Sequence, residues 1–151
     1  MKIRKVGVLG GGLMGSGIAE VSARAGYETV VREVSEDLAA KGRGRIEGSL
    51  GKAVERGKLP AADRDSALAR ISTTTNLEDL QSCDLVVEAV VEDLALKKET
   101  FGALDRICAE PAIFCSNTSS LTKLAVPASV QLLFITKSRA TSSPFTVMVW
   151  S

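Results

Sequence analysis

The sequence predicts a doubly wound α/β domain with a mostly parallel sheet. Two observations carry that expectation. Short runs rich in Val, Ile and Thr alternate with helix-patterned segments along the chain. The first of these runs ends abruptly in glycines and passes straight into a helix, the junction that a βαβ unit requires.

Taken in order, Ile3 to Leu9 alternates and then turns apolar at Val6, Val8 and Leu9, as a buried parallel strand does. Met14 to Ala25 carries helix formers, with Met14, Ile18 and Val21 as its apolar stripe and Gly26 as its stop. Glu28 to Val34 reads as a second strand. Ser35 can cap the next helix, with Glu36 and Asp37 in the first turn. That helix runs to about Arg56, with Leu38, Ile46, Leu50 and Val54 on one side, and Gly57 ends it. Gly42, Gly44, Gly48 and Gly51 each cost it roughly 1 kcal/mol against Ala, so it must lean on tertiary packing. A short helix from Leu59-Pro60 to Ala69, a strand over Ile71 to Thr74 and a strand over Leu85 to Val90 follow. Asp93 caps a helix from Leu94 to Ala109 whose core face is Phe101, Leu104 and Cys108. Ala112 to Cys115 is a further strand, and Val130 to Ile135 a sixth. Thr136 to Ser143 is polar and patternless, and Phe145 to Trp150 is apolar with no element behind it. The sequence therefore divides into a domain over 1–128, with its boundary near Pro127, and a divergent or truncated tail over 129–151.

Composition narrows the function. The 151 residues are 45% hydrophobic and 25% charged, with a net charge of +1, so neither nucleic acid nor an acidic membrane surface is the expected partner. No apolar run approaches the length of a bilayer span, and Met1-Lys2-Ile3-Arg4-Lys5 leads into a strand rather than a signal region. Cys83, Cys108 and Cys115 lack C-x-x-C spacing; they read as buried thiols in a reducing cytoplasm, and no metal site is expected. There is no histidine.

The chemistry centres on Gly10-Gly11-Gly12-Leu13-Met14-Gly15, a G-x-G-x-x-G turn between strand and helix. Gly10 permits the tight turn, Gly12 lets the backbone approach a pyrophosphate, and Gly15 lets helix and strand pack closely; the helix N-terminus, at Leu13 and Met14, favours the negative charge. Glu33 ends the second strand close to the ~20 residues past the glycines at which a carboxylate can accept both adenosine ribose hydroxyls. It would repel a 2′-phosphate, so NAD is favoured over NADP. Arg32 next to it should point to the opposite face. The alternative is a glycine turn that serves only helix–strand packing.

Val6 to Ala19 (VGVLGGGLMGSGIA), Leu85 to Glu92 (LVVEAVVE), Lys97 and Ser116 to Leu121 (SNTSSL) together resemble the 3-hydroxyacyl-CoA dehydrogenases. The resemblance runs from about Ile3 to Pro127, with the bacterial 3-hydroxybutyryl-CoA dehydrogenases as the most similar branch. It implies a Rossmann domain followed by a helical domain, absent here, through which the family homodimerises. The implied reaction is NAD-dependent oxidation of a 3-hydroxyacyl-CoA, or the reverse reduction, in fatty-acid or butanoate metabolism. Position by position, Gly10 to Gly15 and Glu33 would hold the adenosine and pyrophosphate, and Glu92 and Lys97 would contact the cofactor further on. Ser119 would hydrogen-bond the substrate's reacting oxygen near the nicotinamide, with Asn117 shaping the same site. Ser49 and Arg56 would contact CoA, with Lys52 and Lys58 beside them. Read from the residues alone, the favoured readings are a solvated pair for Glu92 and Lys97, caps of a turn over Leu121 to Ala125 for Ser119 and Ser120, and a solvated helix face for the basic residues.

Removing the alcohol proton as hydride leaves calls for a general base, most often histidine. Ser143-Pro144-Phe145-Thr146-Val147-Met148 resembles the end of the family's histidine-bearing stretch, and counting back from Pro144 places the base at Ala140. No base stands there. Glu88 and Glu92 fall on the cofactor side by the resemblance and are no evident substitute. Codons for His-Phe-Phe read one base late give Thr-Ser-Ser, which is Thr141-Ser142-Ser143, so a frame slip, an early stop or a gene-model error each accounts for the tail. Two functional classes follow: a 3-hydroxyacyl-CoA dehydrogenase represented by its cofactor domain, or an NAD-binding module without turnover. A hydroxyisobutyrate-type 3-hydroxyacid dehydrogenase is a third, disfavoured by the Ser-Asn-Thr-Ser-Ser segment. An uncovered cleft with Phe145, Val147 and Trp150 exposed would favour self-association.

Overall fold

β-branched runs become strands and the segments between them become helices in the computed structural model, which describes residues 2–90, 93–108, 112–116, 132–136 and 146–150. The order is β1 (Lys5–Leu9), α1 (Leu13–Arg24), β2 (Glu28–Arg32), α2 (Glu36–Glu55), α3 (Ala61–Ala69), β3 (Ile71–Thr74), a 3₁₀ turn (Leu77–Leu80), β4 (Leu85–Glu88), α4 (Leu94–Ile107), β5 (Ile113–Ser116), β6 (Leu132–Thr136) and β7 (Thr146–Trp150). They form one sheet in the order β3-β2-β1-β4-β5-β6-β7. Its first six strands are parallel, and β7 adds to β6 antiparallel, Phe134 opposite Met148. Residues 146–150, which carry no element in the sequence reading, are thus an edge strand.

Because side chains alternate across a strand, β1 feeds both faces. Val6 and Val8 enter a core with Val31, Ile46, Leu50, Leu59 and Ile71 beneath α1, α2 and α3. Leu9 enters a second core with Val30, Leu80, Val86, Phe101, Leu104 and Phe114. Burial on both faces is why these strands lack polar alternation. The strand order reverses between β1 and β4, so a crevice opens at the carboxyl ends of β1, β2 and β4, where doubly wound folds bind their ligands.

Helix α1 packs through its small residues and, of the expected stripe, through Ile18 alone. Gly15, Ser16, Ala19 and Ala23 are buried, while Met14 and Val21 are 57% and 65% exposed. Proximity decides this: a Cβ on Gly15 would lie 1.7 Å from the Gly10 carbonyl oxygen, so only a face of minimal side chains fits against the turn. Helix α2 is capped by Ser35, whose hydroxyl accepts from the Leu38 N–H at 3.4 Å, and Gly57 follows it at φ +66°. Ile46 and Leu50 are buried as expected, but Leu38 is 38% exposed. Asp93 accepts from the Leu96 N–H at 3.0 Å and caps α4. β4 ends at Glu88, two residues early, because the Val90 N–H turns back to the Glu88 carboxylate.

The glycines of α2 separate by what surrounds them. Gly42 lies against the phosphate turn, where its Cβ would stand 3.1 Å from the Gly11 carbonyl oxygen, whereas Gly44 and Gly48 have open space. Replacing Gly44 and Gly48 with alanine is therefore expected to stabilise the chain by roughly 1 kcal/mol each. Gly42→Ala is expected to destabilise it. Thermal unfolding of the three variants checks the split, and a lower midpoint for Gly44→Ala or Gly48→Ala would contradict it.

Cys83 and Cys115 are buried, Cys108 is half-buried, and all three are free. Burial pushes their thiols up to about 11, far from the thiolate form that attacks or binds metal. No described helix is long and apolar enough to cross a membrane.

Candidate functional site

The glycine turn sits at the carboxyl end of β1. Gly10 adopts φ +94°, a conformation that glycine reaches without strain, and its N–H donates to the Arg32 carbonyl at 2.9 Å. This ties the turn to the end of β2. Gly12 is the N-cap of α1, with no side-chain cap and no acidic residue in the first turn. A Cβ there would meet nothing within 4 Å. The helix therefore offers its first N–H groups and the positive end of its dipole to open space, the arrangement that receives a phosphate.

Glu33 closes the other side. Its carboxylate accepts from the Gly11 N–H at 2.5 Å and from the Val34 N–H at 3.3 Å, which holds it over the turn and half-exposed. Arg32 points away as alternation requires, its Nε donating to the Thr75 carbonyl at 3.3 Å. The carboxylate thus faces the crevice without a guanidinium from the adjacent residue. Arg45, on α2, donates to the Gly11 carbonyl at 3.0 Å and completes the frame around the turn. A dinucleotide fits this donor set. The turn suits its pyrophosphate, and Glu33 suits a ribose with two free hydroxyls rather than one bearing a 2′-phosphate.

On the far side of β1, Glu88 ends β4 with its side chain 1% exposed. Three donors meet it: the Lys97 ammonium at 3.2 Å, the Ser116 hydroxyl at 2.6 Å and the Val90 N–H at 2.8 Å. Lys97 is equally buried, at 1%. This corrects the reading of Lys97 as half of a solvated pair: helix α4 carries it inward onto Glu88. Ser49 and Arg56 are exposed on α2 and at its C-cap, with Lys52 and Lys58 exposed as well. Leu13 and Met14 are exposed at the start of α1. Glu92, Asn117, Ser119 and Ala140 lie outside the described residues, as do the side chains of Phe145, Val147 and Trp150.

Residues 5–131 match the sequence profile described as the 3-hydroxyacyl-CoA dehydrogenase, NAD binding domain. The chain belongs to the 3-hydroxyacyl-CoA dehydrogenase family. The matched region, which carries the glycine turn and Glu33, is accordingly this family's NAD-binding domain. A 3-hydroxybutyryl-CoA dehydrogenase of Mycobacterium tuberculosis is 52% identical over 130 residues, which are 85% of this chain and 46% of that protein. A probable 3-hydroxybutyryl-CoA dehydrogenase of Deinococcus radiodurans is 46% identical over 117 residues, 78% of this chain and 42% of that protein. Among solved structures, (S)-3-hydroxybutyryl-CoA dehydrogenase PaaH1 from Ralstonia eutropha superposes with a TM-score of 0.81 at 38% identity, covering 89% of this chain and 49% of its own. The chain spans about half the length of the curated relatives it matches.

Sequence reasoning missed the roles of Glu88, Ser116, Arg45 and Gly42. Glu88 left a signal: a carboxylate inside the apolar run Leu85 to Val90 must have a buried partner, and the nearest basic residues in sequence, Lys97 and Lys98, open the following helix. Arg45 left none, being one of several basic residues along α2.

Proposed function

We propose that this chain is the cofactor half of an enzyme that oxidises a 3-hydroxyacyl-CoA to the 3-ketoacyl-CoA, or runs the reverse. The observation that carries the reading is the Glu33 carboxylate held over the Gly10–Gly15 turn by the Gly11 N–H. NAD, when bound, supplies the hydride acceptor. The turn and the N-terminus of α1 bind its pyrophosphate, and Glu33 accepts from its adenosine ribose. Glu92 and Lys97 complete the cofactor's surroundings, Ser119 hydrogen-bonds the substrate's reacting oxygen with Asn117 beside it, and Ser49 and Arg56 meet the CoA. Names of relatives as 3-hydroxybutyryl-CoA dehydrogenases support the substrate class, and three free thiols fit a reducing cytoplasm.

Proton removal needs a base, and Ala140 stands where the resemblance puts it. The 151-residue chain by itself therefore holds NAD without turnover. Purified chain is expected to bind NAD in titration calorimetry, and to bind NADP more weakly. Acetoacetyl-CoA added with NADH is expected to cause no oxidation above background. Clear turnover would refute the claim of inactivity, and absence of NAD binding would remove the proposal.

A further inference from the structure

We propose that Glu88, clamped by Lys97 and Ser116, is a positioning residue that holds the phosphate turn in shape from the β4 side. The inference rests on the NAD reading above but concerns Glu88 and Ser116, to which that reading gives no ligand contact. It follows a chain of contacts. Lys97 Nζ and Ser116 Oγ both reach Glu88 Oε2, at 3.2 and 2.6 Å, fixing the carboxylate from α4 and from β5. The other oxygen, Oε1, accepts the Val90 N–H at 2.8 Å, so the side chain folds back on its own backbone and sets the course of residues 89 and 90. Ala89 is pinned to β1 by its N–H on the Leu9 carbonyl at 2.9 Å. Its carbonyl oxygen lies where a Cβ on Gly10 would come within 2.9 Å. Gly10 is the first residue of the phosphate turn, so the clamp on Glu88 ends directly behind it.

Charge gives the clamp its second task. A buried carboxylate next to a pyrophosphate site would oppose the anion, and it would be costly on its own. Lys97 cancels it within a 3.2 Å ion pair. The hydroxyl of Ser116 and the Val90 N–H donate to it as well, and no buried side-chain nitrogen or oxygen among the described residues lacks a partner. Through Glu88, Lys97 thus also supports the turn.

The test measures NAD and ADP-ribose affinity for Glu88→Gln, Lys97→Met, Ser116→Ala and the double variant Glu88→Gln/Lys97→Met. Both ligands carry the pyrophosphate, and only NAD carries the nicotinamide. Glu88→Gln is expected to weaken both ligands alike, by about tenfold or more, the loss that goes with removing a charge-assisted hydrogen bond, and Lys97→Met to weaken both as well, NAD at least as much. Ser116→Ala should do so less. The double variant removes both charges and is expected to recover stability but not affinity. Leu59→Ala, in the opposite core, loses stability with unchanged affinity.

A folded double variant that binds both ligands like the parent would overturn the proposal. So would a Glu88→Gln loss confined to NAD, which would put the effect at the nicotinamide half and not at the turn. Hydrogen exchange separates this inference from the NAD reading. Glu88→Gln is expected to speed exchange of the Gly10 amide, which donates to Arg32, even if the parent bound neither ligand. Unchanged exchange there would sink the inference whatever the binding data show.

Discussion

Gly15→Ala is expected to cost the chain more stability than any other single methyl group added to the turn. The new Cβ would lie 1.7 Å from the Gly10 carbonyl oxygen and 2.8 Å from its carbon. Both are backbone atoms, so no rotamer change relieves the clash. Either α1 moves off the sheet, pulling Ala19 and Ala23 from the core, or the Gly10 turn opens. Overpacking commonly costs about 1–3 kcal/mol, and a clash this deep belongs beyond the upper end. That is a large part of the ~5–15 kcal/mol that holds a domain together. Gly12→Ala is the companion: its Cβ meets nothing within 4 Å and its φ of −65° suits any residue. It should stay within about 0.5 kcal/mol of the parent yet bind NAD more weakly, because its methyl stands where the pyrophosphate approaches. Urea denaturation decides the first claim, and equal midpoints for Gly15→Ala and the parent would refute it.

The second large effect is on binding. Glu33→Ala removes the carboxylate that would accept from the ribose, and hydrogen bonds to a charged group contribute roughly 1.5–3 kcal/mol. NAD affinity is expected to fall about 10- to 100-fold, with NADP affinity falling less because the repulsion of its 2′-phosphate disappears too. Stability should change little, since Glu33 is half-exposed and the N–H groups it frees, Gly11 and Val34, lie beside the open crevice. Calorimetric titration of parent and variant with both cofactors measures this. A variant that keeps the parent's preference for NAD over NADP would show that Glu33 does not set it.

Much of this was legible in the residues because it is governed by local rules. β3 spans the expected residues, and Ser35, Asp93, Gly26 and Gly57 mark helix ends through capping and positive φ. Glu33 was legible from its spacing to the turn. What escaped depends on distance through space. The buried face of α1 is small-sided because a turn lies against it, and a count of large apolar residues points to Met14 and Val21 instead. β7 exists by pairing with β6, and nothing within 146–150 announces a partner. The Glu88 clamp draws on β4, β5 and α4 at once, so a residue-by-residue reading sees only a lysine near a helix start.

The bond from Arg45 to the Gly11 carbonyl has a thermodynamic consequence. Helix α2 is a single rod of 20 residues that carries both this contact and the exposed Ser49, with Arg56 at its end. One ligand settling on its outer face and another settling in the glycine turn would bias the same hydrogen bond. If the proposed contact of Ser49 and Arg56 with a CoA ester is made, linkage requires reciprocity: whatever factor that ester lends to NAD affinity through this bond, NAD must return to it. Arg45 is thereby the place where the affinities of the two ligands would be coupled in the fold.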